Sequence, residues 1–328
     1  MPLLRGRFSA DNGRVTRQAL IIDCDPGVDD AVALFLAFAS PEDLEILAVT
    51  TAAGNVDATL TARNARLVRQ LAGREDVPVH AGAAVPLVRE PIAAAHFHGE
   101  SGLGTLAVFE PAAPMAPGHA ATAIVDLVMS RPAGSVAMAV TGPMTNLAMA
   151  MRLEPMLAER LGTVVVMGGA RREGGNITAS AEYNIYADPH AADVVFRSGV
   201  SCVVLGLDAT HQLRATPARL ARIAAIDTVA ARSVATLISF SSDIERRLVG
   251  GDSPPMHDPS TIAWLLAPQL FTAVPVDLRV ETTSPLTAGH TAVEFRLDAA
   301  AASVAPIRWV TQVDHDAVFD LFFERLAR

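Results

Sequence analysis

Cysteine is scarce in this sequence, and so are the segments that would send a chain to a membrane or out of the cell. Two cysteines in 328 residues, Cys24 and Cys202, cannot form a disulfide framework. The count fits a reducing compartment, and a cytoplasmic location is expected. No apolar stretch reaches the roughly 18 residues of a membrane span. Residues 1–18 carry arginines but no apolar signal core, and they read as a short extension ahead of one unit covering 19–328. Basic charge is also short. Lys plus Arg number 26 against 35 Asp plus Glu, a net charge of −9, which argues against a nucleic-acid backbone as partner. No GxGxxG follows a first strand, no GxxxxGK[ST] occurs, and no GxSxG elbow or persuasive Cys-His arrangement is found. The usual dinucleotide, P-loop and serine-hydrolase signatures are therefore absent. There is no repeat of fixed period.

Apolar residues, by contrast, make up 51% of the chain, ample for a large core. Strand-like and helix-like segments alternate. Strands are expected at Ala19–Ile22, Leu44–Thr50, Val77–His80, Ser135–Val140, Thr163–Met167, Ser201–Leu205, Val276–Glu281, Thr291–Arg296 and Ile307–Thr311. Helices are expected at Ala31–Phe38, Asp57–Leu71, Ala120–Ser130, Met144–Met151, Asp188–Ser198, Val229–Leu248, Asp258–Leu266 and from Asp314 onward. This alternation predicts a single α/β domain, with a mainly parallel open sheet, helices on both faces and a Rossmann-like core. Pro86 to Pro117 lacks periodicity and reads as a long loop, a possible lid.

One run dominates the chemistry: Asp23-Cys24-Asp25-Pro26-Gly27-Val28-Asp29-Asp30. Four carboxylates in eight residues crowd the carboxyl end of the first strand, where open α/β sheets bind ligands. They stay ionised together only if a cation or hydrogen-bond donors offset their repulsion. Other polar residues also follow predicted strands: Asn55, Thr141, Asn176 and Asp208. Oxygen ligands of this kind suit Ca2+ or Mg2+ better than zinc. Each piece has a plainer reading beside the functional one. Asp29 or Asp30 alone could cap a helix. Glu182-Tyr183-Asn184 could be a polar loop or a pair suited to sugar hydroxyls. Asp258, followed by Pro259, could be an N-cap, with His257 a surface residue. His98, in His98-Gly99-Glu100-Ser101-Gly102, could sit in a flexible turn or on a lid over a substrate.

Taken in order and spacing, the acidic run, Gly54-Asn55, His98-Gly99 to Gly102-Leu103, Thr141 to Asn146, Met167-Gly168-Gly169, Asn176, Glu182-Tyr183-Asn184 with Asp188-Pro189, and His257-Asp258-Pro259 resemble the inosine-uridine nucleoside hydrolase family. The resemblance runs from about Leu20 to the C-terminal helix. It implies a Ca2+-dependent enzyme that cleaves the N-glycosidic bond of ribonucleosides to ribose and free base. It further implies that Asp25, Asp30 and Asp258 bind calcium through side chains and Thr141 through its carbonyl. Asp25 would be the general base toward the water that the calcium binds. Asp29, Asn55, Asn176, Glu182, Asn184 and Asp258 would hold the ribose. His257 would donate a proton to the leaving base, and His98 would stand on a mobile loop near the substrate. Relatives are commonly dimers or tetramers, so a homodimer or homotetramer is implied.

Purine-selective members of that family tend to bracket the base with tryptophans and lack the histidine. This chain has only Trp264 and Trp309, and it has His257, which leans toward pyrimidine or inosine-uridine specificity. The stretch Phe240 to Met256, expected near the base, has no tyrosine or tryptophan. Two other functions stand beside this one. A non-catalytic, calcium-dependent nucleoside-binding protein could retain the same acids. An aspartyl-nucleophile phosphatase also places acids after its first strand, although the Pro-Gly-Val-Asp-Asp continuation does not suit it.

Overall fold

The strand Gln18–Cys24 (β1) sends alternate side chains to opposite sides, Leu20 and Ile22 into one apolar cluster and Ala19 and Ile21 into another. Both faces are therefore covered, as the unbroken apolar run demands. The computed structural model describes residues 17–92, 94–304 and 306–328. Most of the expected N-terminal extension lies outside them, and Gln18 already belongs to β1.

Eight further strands complete one sheet: Leu44–Thr51 (β2), Val79–Ala81 (β3), Val136–Val140 (β4), Val164–Met167 (β5), Cys202–Leu205 (β6), Phe271–Val280 (β7), Thr291–Glu294 (β8) and Ile307–Val313 (β9). Their order is β3-β2-β1-β4-β5-β6-β9-β7-β8. β1 to β6 and β9 pair in parallel, while β7 runs antiparallel to both β9 and β8. The expected mainly parallel, single-domain α/β fold is what forms. On one face, Val28–Phe38, Ala58–Leu71, Val229–Leu248, Pro259–Leu266 and His315–Leu326 share a core with Leu20, Ile22, Ala139 and Val165. On the other, Ala120–Met129, Thr145–Leu153 and Pro189–Arg197 pack against Ile21, Met138, Val140 and Val204.

The expected helix bounds agree to within three residues, the largest difference being the start at Val28 and not Ala31, and Val229–Leu248 agrees at both ends. The strand expected at Val276–Glu281 instead starts at Phe271, five residues upstream of a reading that stopped at Pro275. Pro275 is tolerated because β7 lies near the sheet's edge, where one ladder bond can be forgone. The short helices Tyr183–Ala187 and Leu207–Thr210 are too brief to show a helical period, whereas Pro217–Ala224 escapes the sequence reading despite its Thr216 cap and Pro217 start. Pro86 to Pro117 is irregular apart from Ala95–His98 among its described residues.

The strand order reverses direction at β1. β2 and β3 lie on one side and β4 to β6 on the other. Loops diverge at such a switch point and leave a crevice at the carboxyl ends of the strands. Asp25 leaves β1 there, and Thr141 leaves β4 beside it.

Candidate active site

Asp30 sits in the first turn of Val28–Phe38 and is completely buried. Its carboxylate accepts four hydrogen bonds. Oδ1 takes the N–H of Asp25 (3.3 Å) and the hydroxyl of Thr141 (2.8 Å), and Oδ2 takes the N–H of Gly27 (3.0 Å) and the amide of Asn55 (3.0 Å). The helix-capping reading of Asp30 is thus true in part, since Gly27 is the N-cap. Even so, burial first and Asp29 second push its carboxyl up to about 6.

Asp25 is held differently. Oδ2 accepts the Asn55 N–H (2.7 Å), whereas Oδ1 is buried with no hydrogen-bond partner. A Cβ on Gly54 would lie 2.0 Å from Oδ2, and one on Gly142 would lie 2.4 Å from Oδ1. Only glycine lets the two loops close this tightly on the carboxylate. Burial and then the charge of Asp30 raise Asp25 well above the usual carboxylate range. Asp23, two residues earlier and still in β1, accepts from Thr50 (2.6 Å) and Asn146 (2.8 Å) and does not line the cavity.

Asp258 arrives from the far end of the chain. It occupies the N-cap position of Pro259–Leu266, yet its side chain makes no capping bond. Oxygens of Asp29, Asp30 and Asp258 lie within 4.8 Å of one another. Burial first, and Asp29 next, raise Asp258 well above its ordinary value, and burial raises Asp29. Asp25 stands outside this trio, and Asp29, expected on the ribose, stands within it. Carboxyls that close and that buried cannot all ionise unless positive charge joins them. The donor set, all oxygen, together with the unpartnered Asp25 Oδ1, fits a hard divalent cation.

A cavity of about 360 Å3 opens above the acids. That volume falls in the range of small-molecule sites. Asp29, Asn55, His98, Thr141, Asn176, Glu182, Asn184, His257 and Asp258 line it, so nearly every expected site residue converges there. Asp25 and Asp30 lie beneath its floor. Asp208 does not join them. It accepts the N–H groups of Arg171 and Arg172 (both 2.8 Å) and stiffens that loop.

The helix Tyr183–Ala187 aims the next group. Glu182 caps it, with Oε1 accepting from Asn184 N–H (2.9 Å) and Oε2 from Gly169 (3.0 Å) and Ile185 (3.2 Å). Burial nonetheless pushes this carboxyl up to about 7. The Asn184 amide donates to the Thr141 carbonyl (2.7 Å) and to that of Met167 (3.2 Å). The Asn176 carbonyl oxygen accepts from Tyr183 N–H (2.9 Å), which leaves its amide for the cavity. Asn55 commits its amide nitrogen to Asp30 and to the Asp25 carbonyl, which leaves Oδ1.

Two histidines complete the wall. His98 accepts the Val28 N–H at Nδ1 (3.1 Å), so the proton of the neutral ring is on Nε2. The same Nδ1 lies 4.0 Å from Asp29, but burial pushes His98 down to about 4, so the contact is no ion pair. His257 shares a 2.8 Å hydrogen bond between Nδ1 and the Thr210 hydroxyl. Burial and the nearby His211 push it down to about 3. The sequence reading overlooked His211, Arg214 and Glu245, which also line the cavity. Nothing local marks them, because Glu245 lies in the last turn of Val229–Leu248 among other charged residues and Arg214 lies in a connecting segment.

Several known proteins are similar to this chain in sequence and fold. The sequence profile of the family described as inosine-uridine preferring nucleoside hydrolase matches residues 20–320. The chain is 42% identical over 278 residues to an inosine-uridine preferring nucleoside hydrolase of Crithidia fasciculata, covering 84% of this chain and 88% of that one. It is 41% identical over 309 residues to a pyrimidine-specific ribonucleoside hydrolase of Salmonella enteritidis, covering 94% and 97%. A solved plant nucleoside hydrolase superposes with a TM-score of 0.88 at 32% identity, over 95% of this chain and 99% of that one.

Proposed function

The chain belongs to the inosine-uridine preferring nucleoside hydrolase family and is a ribonucleoside hydrolase, and from that premise we propose how its residues divide the work. Asp25, Asp30 and Asp258, with the Thr141 carbonyl, hold a Ca2+ ion. A bound Ca2+ offsets the repulsion among these acids and lowers the pKa of a water molecule. The observation that carries this reading is the Asp25 Oδ1 atom, buried without a partner under the cavity floor.

Asp25 takes a proton from the attacking water through that oxygen. The water oxygen bonds to C1′ of the ribose while the bond from C1′ to the base nitrogen breaks, and oxocarbenium character builds on the sugar between. Asp29, Asn55, Asn176, Glu182, Asn184 and Asp258 hold the ribose hydroxyls, Asn176 through its amide, and the Asp29 and Asp258 carboxylates with Asn55 Oδ1 face the developing positive charge. Fixing the hydroxyls spends binding energy away from the reacting bond to position it. The electron pair of the broken bond leaves with the base, and His257 passes it a proton; burial keeps the ring neutral in the empty site, so that proton reaches His257 from solvent as negative charge builds on the base beside it. His98 covers the substrate from the Pro86 to Pro117 loop. The products are ribose and the free base, with inosine and uridine preferred.

The two buried thiols and the family likeness support a cytoplasmic homodimer or homotetramer. Among the described residues, no helix is long and apolar enough to cross a membrane. A non-catalytic binding protein is not favoured, because the relatives are enzymes. The test is ribose release from inosine, uridine, cytidine and adenosine, with and without a chelator. Release from at least one nucleoside that stops on chelation and resumes with Ca2+ is expected. Chelation without effect would remove the metal from the mechanism, and no release from any of them would remove the mechanism itself.

A further inference from the structure

The stretch Phe240 to Met256 has no tyrosine or tryptophan to grip a base, yet it does not leave that end of the cavity featureless. Ile244, Leu248, Val249, Pro254 and Pro255 make an apolar wall there. Set into it is an ion pair, Arg214 Nη1 to Glu245 Oε1 at 2.8 Å. The chain contains no lysine, and Arg214 is the one arginine lining the cavity among the described residues. Arg214 is also close to the reacting end, because it bridges to Pro255, two residues before His257.

Each partner has an atom to spare. Arg214 Nε donates to the His211 carbonyl (3.1 Å), and Nη1 donates to Glu245 and to the Ser253 carbonyl (3.2 Å). Among the described residues, Arg214 Nη2 and Glu245 Oε2 have no hydrogen-bond partner. The pair thus brings one free donor and one free acceptor to the same apolar end of the cavity. A flat heterocycle with a polar edge matches that surface.

We propose that Arg214 and Glu245 read the lactam edge of the nucleoside base, the ring N–H donating to Glu245 Oε2 and the adjacent carbonyl oxygen accepting from Arg214 Nη2. The inference rests on the hydrolase reading above and specifies its substrate as nucleosides of lactam bases, such as uracil and hypoxanthine. The cationic member decides between edge types. As the bond to C1′ breaks, negative charge spreads through the leaving base onto its carbonyl oxygen, where a guanidinium stabilises it. An amidine edge, as in cytosine or adenine, offers no oxygen at that place. A site built to hydrogen-bond an N–H also rejects an analogue lacking it, because its own acceptor is left unpaired.

A purely structural role for the pair is the competing account, since Arg214 also ties Ser253 to the long helix. The experiment therefore reads ratios. Steady-state kcat/KM is measured for uridine and inosine, for N3-methyluridine and N1-methylinosine (which lack the ring N–H), and for p-nitrophenyl riboside, which has no lactam. The unaltered protein is expected to favour the parent nucleosides over the methylated ones by about tenfold or more. Glu245→Gln should collapse that preference and lower the ratio of uridine to p-nitrophenyl riboside by about tenfold. Arg214→Lys, which keeps the charge but not the fork, should lower it less. Equal turnover of uridine and N3-methyluridine by the unaltered protein, a measurement that needs no variant, would overturn the proposal. So would variants that slow every substrate equally. Failure to cleave even p-nitrophenyl riboside would instead sink the hydrolase reading, and this proposal with it.

Discussion

The hydroxyl of Thr141 donates to Asp30 Oδ1 at 2.8 Å, joining two residues 111 positions apart in the chain. This bond ties the end of β4 to the helix that follows β1, across the crevice where the strand order reverses. It acts on the protein before any ligand arrives, because Asp30 is buried and this hydroxyl is one of the four donors that hold its carboxylate. Thr141→Val keeps the shape and removes the donor. Loss of about 1–3 kcal/mol of folding stability is expected, since the acceptor is a buried carboxylate. Urea unfolding of the chelated protein measures it, and Thr141→Ser should restore most of the loss. A Val variant as stable as the parent would mean the bond contributes nothing.

Asp25→Asn separates function from stability. The amide oxygen keeps the Asn55 N–H, but the group can no longer take a proton, and kcat should fall by about 10²–10⁴. In chelator the variant should melt higher than the parent, because one of the clustered carboxyls has gone. Retention of more than a tenth of the activity would exclude Asp25 as the base.

Asp23 makes a pH signature. Burial raises its carboxyl to about 6 from an ordinary 3.8. Between those values the folded protein holds a proton that the unfolded chain has shed. The contribution to stability is therefore present below about pH 4 and is lost as pH rises through 6. Asp23→Asn removes this dependence. The difference in unfolding free energy should shift in the variant's favour by on the order of 3 kcal/mol between the two ends of that window. Urea titrations of both proteins in chelator test it, and parallel pH curves would rule it out.

Ca2+ binding should expel protons. Asp25, Asp29, Asp30 and Asp258 are all raised by burial, so at pH 6 the ion-free site holds protons that a cation displaces. Titration calorimetry in two buffers of different ionisation enthalpy counts them, and at least one per ion is expected. Calcium at about a hundred times its Kd should also add roughly 2.7 kcal/mol of stability. Binding with no proton release would mean the acids are already ionised, contrary to their crowding.

Much of this architecture is legible in one dimension. β1, β2, β4, β5 and β6 are short apolar runs bounded by turn residues, and that pattern forces a sheet buried on both faces. The acidic run also announces itself, because four carboxylates so close need an explanation wherever they fold. Short or edge elements are not legible. Tyr183–Ala187 is too brief to show a helical period, so Glu182 reads as loop until its three backbone donors reveal a cap. Pro275 hides the first half of β7, because only its edge position makes it tolerable.

Composition and local pattern were enough to establish a mainly parallel α/β chain whose chemistry starts at Asp25, Asp29 and Asp30. Those properties depend on periodicity and on charge density, both of which a linear string contains. The identity of the groups that face these acids is of another kind. Asp208 serves a distant loop and Arg214 meets Glu245 on the cavity wall, which the local sequence around each does not show, and Asp258, which its His257-Asp258-Pro259 motif does mark, leaves its helix uncapped and joins Asp29 and Asp30. Long-range closure of the chain sets those encounters, and the resulting burial decides which acids hold protons and which polar atoms are left for a ligand.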